Sequence, residues 1–209
     1  MRDTFRPPFA RPFFVPLFIA LNLIVFGMWT FANDVQLEFM AKNFLVSWSA
    51  LEEGRVWTLV TSVFSHNLFW HFFINMFVLN SFGSIIESTL GSMRFLRFYL
   101  IAGIVSSLGH SLVSAYLLQM PTLPALGASG SIAGTILLFA LLFPRQKILI
   151  LGIIPMPAIW GAIAFVGLDI WGLSAQMHGG GLPIGHGAHL GGALTGLIYY
   201  FLFLRNPKS

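Results

Sequence analysis

Ser129 stands in PALGASGSIAG, residues 124 to 134, between Gly127-Ala128 and Gly130, at the start of a short apolar stretch. A serine hydroxyl is a weak nucleophile until a base takes its proton, and histidine suits that task near neutral pH. His189 offers such an imidazole, in GHGAHLGG late in the chain. A serine at a helix start also sits beside the unpaired N–H groups of the first turn, where the helix dipole favours developing negative charge. Those are the needs of an oxyanion site for acyl transfer. His71 and Asn75, at i and i+4 in HNLFWHFFINMF, face one way on a helix and carry side-chain donors for the same oxygen.

Taken singly, each of these has a bland explanation. Ser129 can be a helix cap, with Gly127 and Gly130 serving turn and packing. His189 can be polar glue between helices, and His71 with Asn75 a structural pair. What favours chemistry is their joint occurrence inside membrane-spanning stretches, where ionisable residues are functional candidates by default.

The stretches themselves follow from composition. Of 209 residues, 56% are hydrophobic and 9% charged, against about 25% charged in a soluble domain. One polytopic membrane unit accounts for residues 1–209. The net charge of +4 does not imply nucleic acid, because the bases sit in short loops between spans rather than in a patch. With no cysteine, disulfides, thiol catalysis and thiolate metal sites are excluded.

Residues 1–12 read as a short basic tail. Six spans follow: 13–31, 56–88, 95–118, 129–143, 148–170 and 186–204. The long connection 32–55 can be capped at Asn33 or Asp34, and its mixed apolar and charged residues suit an interfacial segment. The first span is read as retained rather than as a cleaved leader, since it is too long for a signal-peptide core. Nine of the 11 bases (Arg2, Arg6, Arg11, Arg94, Arg97, Arg145, Lys147, Arg205 and Lys208) fall on the side of both termini, with Lys42 and Arg55 opposite. The positive-inside rule then makes both termini cytoplasmic.

The fourth span is too short. Its 15 residues reach roughly 22 Å against a hydrocarbon core of about 30 Å. Its start must be submerged, and irregular backbone at that depth needs shielding by protein or a wet cavity. Ser129 to Arg145, His189 to Arg205 and His71 to Glu87 are each 16 residues, roughly 24 Å of helix. Three polar side chains on three spans therefore share one depth. Gly130 and Gly134, like Gly192 and Gly196, form GxxxG steps that let helices approach, and His189, Gly192 and Gly196 share a face. Close packing of the fourth and sixth spans would bring His189 to Ser129.

Metal binding is the rival chemistry. His66, His71, His178, His186 and His189 fall toward the outer half, with His186 and His189 at i and i+3. No HExxH occurs, and zinc sites normally take three or four ligands with a carboxylate base in proteases. Asp169, near the outer end of the fifth span, is the only candidate for a third member beside Ser129 and His189, and a structural or interfacial role is favoured for it. His110 reads as a packed polar residue. No metal or other cofactor is expected.

At these residues the chain resembles a bacterial rhomboid intramembrane serine protease. The resemblance is carried by HNLFWHFFINMF, FGSIIESTLGS, GASG and AHLGGALTG, and covers nearly the whole chain. It implies an all-α polytopic fold of six transmembrane helices with a short central fourth helix. It implies a Ser129–His189 dyad with no acidic member, and an oxyanion held by His71, Asn75 and the Ser129 backbone N–H. It further implies transmembrane protein substrates cleaved at small residues near the outer boundary, and a flexible loop, 171–185, over the active site. Together with the charge bias it suggests a multi-pass protein of the bacterial inner (plasma) membrane, in an oligomeric state the sequence does not specify. The alternatives are a catalytically inactive relative that binds transmembrane clients, and a histidine-lined metal site. Two positions depart from the family pattern. Ala133 stands where an aromatic commonly stacks on the catalytic histidine, so either another group orients His189 or the dyad is looser. The first-loop Trp-Arg pair reads Trp57-Thr58, with Arg55 displaced.

Overall fold

A computed structural model describes residues 11–150 and 153–205. The helices in order are α1 (Phe14–Thr30), α2 (Asp34–Phe44), α3 (Trp48–Glu52), α4 (Thr58–Thr61), α5 (Phe69–Val78), α6 (Ser84–Leu90), α7 (Ser92–Leu112), α8 (Ser129–Leu142), α9 (Ala158–Met177) and α10 (His186–Tyr199). Wide π-helical turns continue three of them, so that Phe69–Leu90, Ser92–Leu117 and His186–Leu204 each run as one rod. These three and α9 are long and apolar enough to cross a bilayer, while α1 and α8 are shorter apolar helices. The protein is a mostly helical, multi-pass membrane protein.

Side-chain placement agrees with a lipid solvent. Phe69, Trp70, Phe73, Ile74 and Phe77 of α5 and Trp160, Ile163, Leu168, Ile170 and Trp171 of α9 face outward. Inside, Val15, Phe18, Leu79, Ile86, Phe95, Phe98, Tyr99 and Leu138 form one apolar core. The interior is also rich in small hydroxyls, such as Ser131, whose Oγ donates to the Tyr99 carbonyl at 3.0 Å. Glu87 is buried, yet its carboxylate is well used. It accepts the backbone N–H groups of Phe13, Phe14 and Val15 at 2.7, 2.8 and 2.8 Å, capping α1 from another helix.

Among the described residues, α8 and α10 make the most extensive helix contact. A methyl group at Gly192 would overlap the Gly130 carbonyl, and one at Gly196 the Gly134 carbonyl. One at Gly134 would come within 2.7 Å of the Gly192 carbonyl oxygen. The GxxxG steps therefore do what small residues do between membrane helices, which is to let backbone meet backbone.

Several sequence expectations need correction. The stretch 56–88 is broken: α4 and a 3₁₀ turn, Ser62–Phe64, precede an extended segment, and the long rod begins only at Phe69. Trp29 Nε1 donates to Ser65 Oγ at 2.7 Å and holds that break against α1. The helix expected within 32–55 is present, with α2 capped at Asn33 by a capping box with Gln36. The expected fifth span, 148–170, is misplaced, and the fold is not purely helical. Lys147–Ile150 (β1) and Ile154–Pro157 (β2) form an antiparallel hairpin with Ile148 opposite Met156. Pro155 and Pro157 lack N–H donors and would break a helix interior, so α9 starts after Pro157 and runs on to Met177. The loop given as 171–185 is consequently 178–185. Most of the 1–12 tail lies outside the described residues.

Candidate active site

The segment before α8 must present Ser129 without leaving buried backbone unpaired. Ala125 exchanges two hydrogen bonds with Val46 of the first loop, at 3.0 and 2.8 Å. The Leu123 carbonyl lies 3.0 Å from His110 Nε2, Gly127 N–H donates to the Ser62 carbonyl at 2.8 Å, and Ala128 N–H points to His66 Nε2 at 3.4 Å. The irregular chain ahead of α8 is thus shielded and satisfied by protein. Gly127 has φ +124°, and a Cβ there would come within 2.8 Å of His71 Cε1. Glycine is required on both counts.

Ser129 is the first residue of α8, and its hydroxyl lies 2.9 Å from His189 Nε2. Both line a cavity of about 620 Å³ that His71, Asn75, Gly127 and Phe165 also border. The four residues singled out from three different stretches of sequence therefore meet at one wall. The Asn75 amide donates to the His71 carbonyl at 2.7 Å, one turn back, which leaves one amide N–H for another acceptor. The fully buried His66 packs edge-on against the His71 ring, with centroids 4.9 Å apart. Gly130 sits against Ser106, Gly134 against Gly192, and Gly196 against Gly134, so these positions set helix spacing around the site rather than touch the cavity. His178 hydrogen-bonds only its own helix, Nδ1 to the Ser174 carbonyl at 2.7 Å. Among the described residues no three histidine, aspartate or glutamate side chains are grouped as a metal ion would need.

Asp169 is where the sequence reading went astray. Its Oδ1 is 3.0 Å from His189 Nδ1 and 2.7 Å from His186 Nδ1. It sits in the middle of α9, not at the outer end of a span, and a structural or interfacial assignment overlooks these bonds. The aromatic missing at Ala133 has a counterpart on the same helix. The Phe165 ring lies 5.6 Å from that of His189, centroid to centroid, at 30°. Phe165 and Asp169 are spaced i, i+4, so one face of α9 supplies both. The signals available were a carboxylate inside an apolar helix and an aromatic one turn before it. The displaced Arg55 anchors the first loop by another route, pairing with Glu53 at 2.8 Å and reaching the Lys42 carbonyl at 3.3 Å.

Comparison with known proteins gives the same direction. The family model described as "Rhomboid domain" matches residues 53–206. RHOMBOID-like protein 12, mitochondrial, of Arabidopsis thaliana is 33% identical over 86% of this chain and 55% of its own length. Rhomboid protein 1, mitochondrial, of Saccharomyces cerevisiae is 33% identical over 87% of the chain and 50% of its own length. Rhomboid protease GluP of Bacillus subtilis is 34% identical over 66% and 27%. The chain thus spans about half the length of the first two relatives. These matches overturn the assignment to a bacterial plasma membrane, because the relatives that are 33–36% identical over 86–87% of the chain are named as mitochondrial proteins. The charge bias orients spans relative to one another's loops but does not say which membrane holds them.

Proposed function

The chain belongs to the rhomboid family, and from its site we propose that it is an intramembrane serine endopeptidase acting on transmembrane proteins. The observation that carries this is the 2.9 Å contact of Ser129 Oγ with His189 Nε2 on the wall of a cavity sunk among apolar helices. In this reading the six apolar helices form a six-span bundle in which α8, with nine of its 14 residues buried, is the short central member. At roughly 21 Å of helix, α8 cannot cross about 30 Å of hydrocarbon, so Ser129 lies below the surface. The cavity opens at the helix ends away from Arg94, Arg97, Arg145 and Lys147. Loop 178–185 covers it, with Pro183, Ile184 and Gly185 on the cavity wall.

Chemistry then follows from placement. Ser129 Oγ attacks the scissile carbonyl while His189 Nε2 takes its proton, and the same nitrogen returns it to the leaving amine. The Ser129 backbone N–H at the start of α8, the His71 ring and the free Asn75 N–H surround the position of the developing oxyanion. Water enters through the same cavity to release the acyl group. A fluorophosphonate probe applied to the purified protein in detergent tests this. Labelling is expected in the wild type and lost in Ser129→Ala and His189→Ala. Labelling that survives Ser129→Ala would remove Ser129 from the role of nucleophile.

A further inference from the structure

Asp169 and His186 take no part in the reaction as described, yet both are buried beside His189, their side chains only 6% and 8% exposed. Asp169 Oδ1 meets the Nδ1 atoms of both histidines. A carboxylate in its ionised form only accepts hydrogen bonds, and each of these two bonds then needs its proton on Nδ1. For His189 this selects a tautomer. With the proton on Nδ1, Nε2 is bare and faces the Ser129 hydroxyl, as a general base must. The other tautomer would present an N–H to that hydroxyl and could not take its proton.

The register of two helices makes this triangle. His186 and His189 lie one turn apart on α10, and Asp169 and Gly172 one turn apart on α9. A Cβ at Gly172 would run into the His186 ring, so that glycine opens the slot in which the ring reaches Asp169. We infer that Asp169 is a positioning residue for His189, selecting its tautomer and opposing the charge of the imidazolium formed when Ser129 attacks, and that His186 holds the carboxylate at that angle. The inference rests on the Ser129–His189 reading and extends its proton relay to a carboxylate.

Two measurements test it on the full chain in detergent. In ¹⁵N-imidazole spectra of the wild type, the His189 signals, identified by their loss in His189→Gln, should show Nδ1 protonated and Nε2 bare. The opposite tautomer overturns the inference without any change at Asp169. In fluorophosphonate kinetics, Asp169→Ala should lower the maximal labelling rate by roughly 10²-fold or more with the probe's half-saturation unchanged. Asp169→Asn, whose amide can turn an N–H toward Nδ1 and select the wrong tautomer, should lose at least as much as Asp169→Ala, and His186→Gln should show a smaller loss. Labelling of Asp169→Ala within about twofold of wild type, while His189→Gln is silent, overturns the role of Asp169 and leaves the two-residue relay standing. A wild type that takes no label removes the nucleophile, and both readings with it.

Discussion

Gly134→Ala isolates the helix contact on which the geometry of the site depends. The added Cβ would lie 2.7 Å from the Gly192 carbonyl oxygen and 3.3 Å from the Ala102 Cβ. Restoring an ordinary carbon–oxygen distance of about 3.3 Å requires α8 and α10 to separate by roughly 0.6 Å, since packed backbones have no rotamer to yield. Ser129 lies five residues before Gly134 on α8, and His189 three residues before Gly192 on α10. If half to all of the shift reaches them, the 2.9 Å contact opens to about 3.2–3.5 Å, the outer limit of a hydrogen bond. A misplacement of about 1 Å costs on the order of 10² in rate, so labelling by a fluorophosphonate should slow about tenfold. Overpacking of this kind should also cost about 1–3 kcal/mol of stability. Gly167→Ala is the control: it lies on α9 with nothing within 4 Å of its would-be Cβ, and should keep its labelling rate while gaining helix propensity. Equal rates in Gly134→Ala and wild type would refute the idea that backbone contact sets the Ser129–His189 distance.

Other perturbations have distinct readouts. Glu87→Gln keeps one acceptor oxygen but turns an amide N–H toward the backbone N–H of Phe14 or Val15; a loss of about 2–3 kcal/mol is expected in denaturant titration, and more for Glu87→Ala. Gly127→Ala strains a left-handed residue and pushes on His71, so oxyanion support should fail: labelling should drop about 10²-fold while the helical circular-dichroism signal is retained. Phe165→Ala removes the ring beside His189, a contact of about 0.5–1.5 kcal/mol, and should slow labelling several-fold, with Phe165→Tyr near wild type. Gln176 clasps loop 178–185 through Nε2 bonds of 2.7 and 2.8 Å to the Leu182 and Ile184 carbonyls. Gln176→Ala should therefore hasten limited proteolysis within that loop, measured against cleavage elsewhere in the chain.

How much of this was legible in the sequence differs from residue to residue. The helix starting at Ser129 and the one starting at His186 were readable, because each is short-range information: a glycine-rich entry, an apolar run and a charge beyond its end. The meeting of Ser129 with His189 was readable because depth is counted in residues along rods of fixed rise. Asp169 was not, and the cause is specific. The apolar run 148–170 has the composition of a membrane helix, and hydropathy alone cannot see that Lys147–Ile150 and Ile154–Pro157 pair as a hairpin. Pro155 and Pro157 carried the warning. Starting the helix after Pro157 makes Asp169 the twelfth of its 20 residues and moves it from the membrane boundary to mid-helix, opposite the start of α10. The pairing of Val46 with Ala125 was invisible for a different reason: it joins two irregular segments, and neither has a period to read.

The consequence of that missed half-helix reaches the chemistry. A two-residue site can be assembled by α8 and α10 alone, since their glycines bring the hydroxyl and imidazole together. The residue four after the serine on α8 is Ala133, however, which has no ring to set against the imidazole plane. α9 supplies both missing constraints from one face, Phe165 against the ring and Asp169 at Nδ1. It then ends in the loop that borders the cavity. Any movement of α9 that widens access past loop 178–185 must therefore also loosen His189. A helix that only gated entry would leave the rate of the chemical step unchanged when displaced. A helix that gates and orients would couple the two, so variants that free loop 178–185 by shifting α9 should gain access and lose maximal labelling rate together. Gln176→Ala, which frees the loop alone, should gain access without that loss.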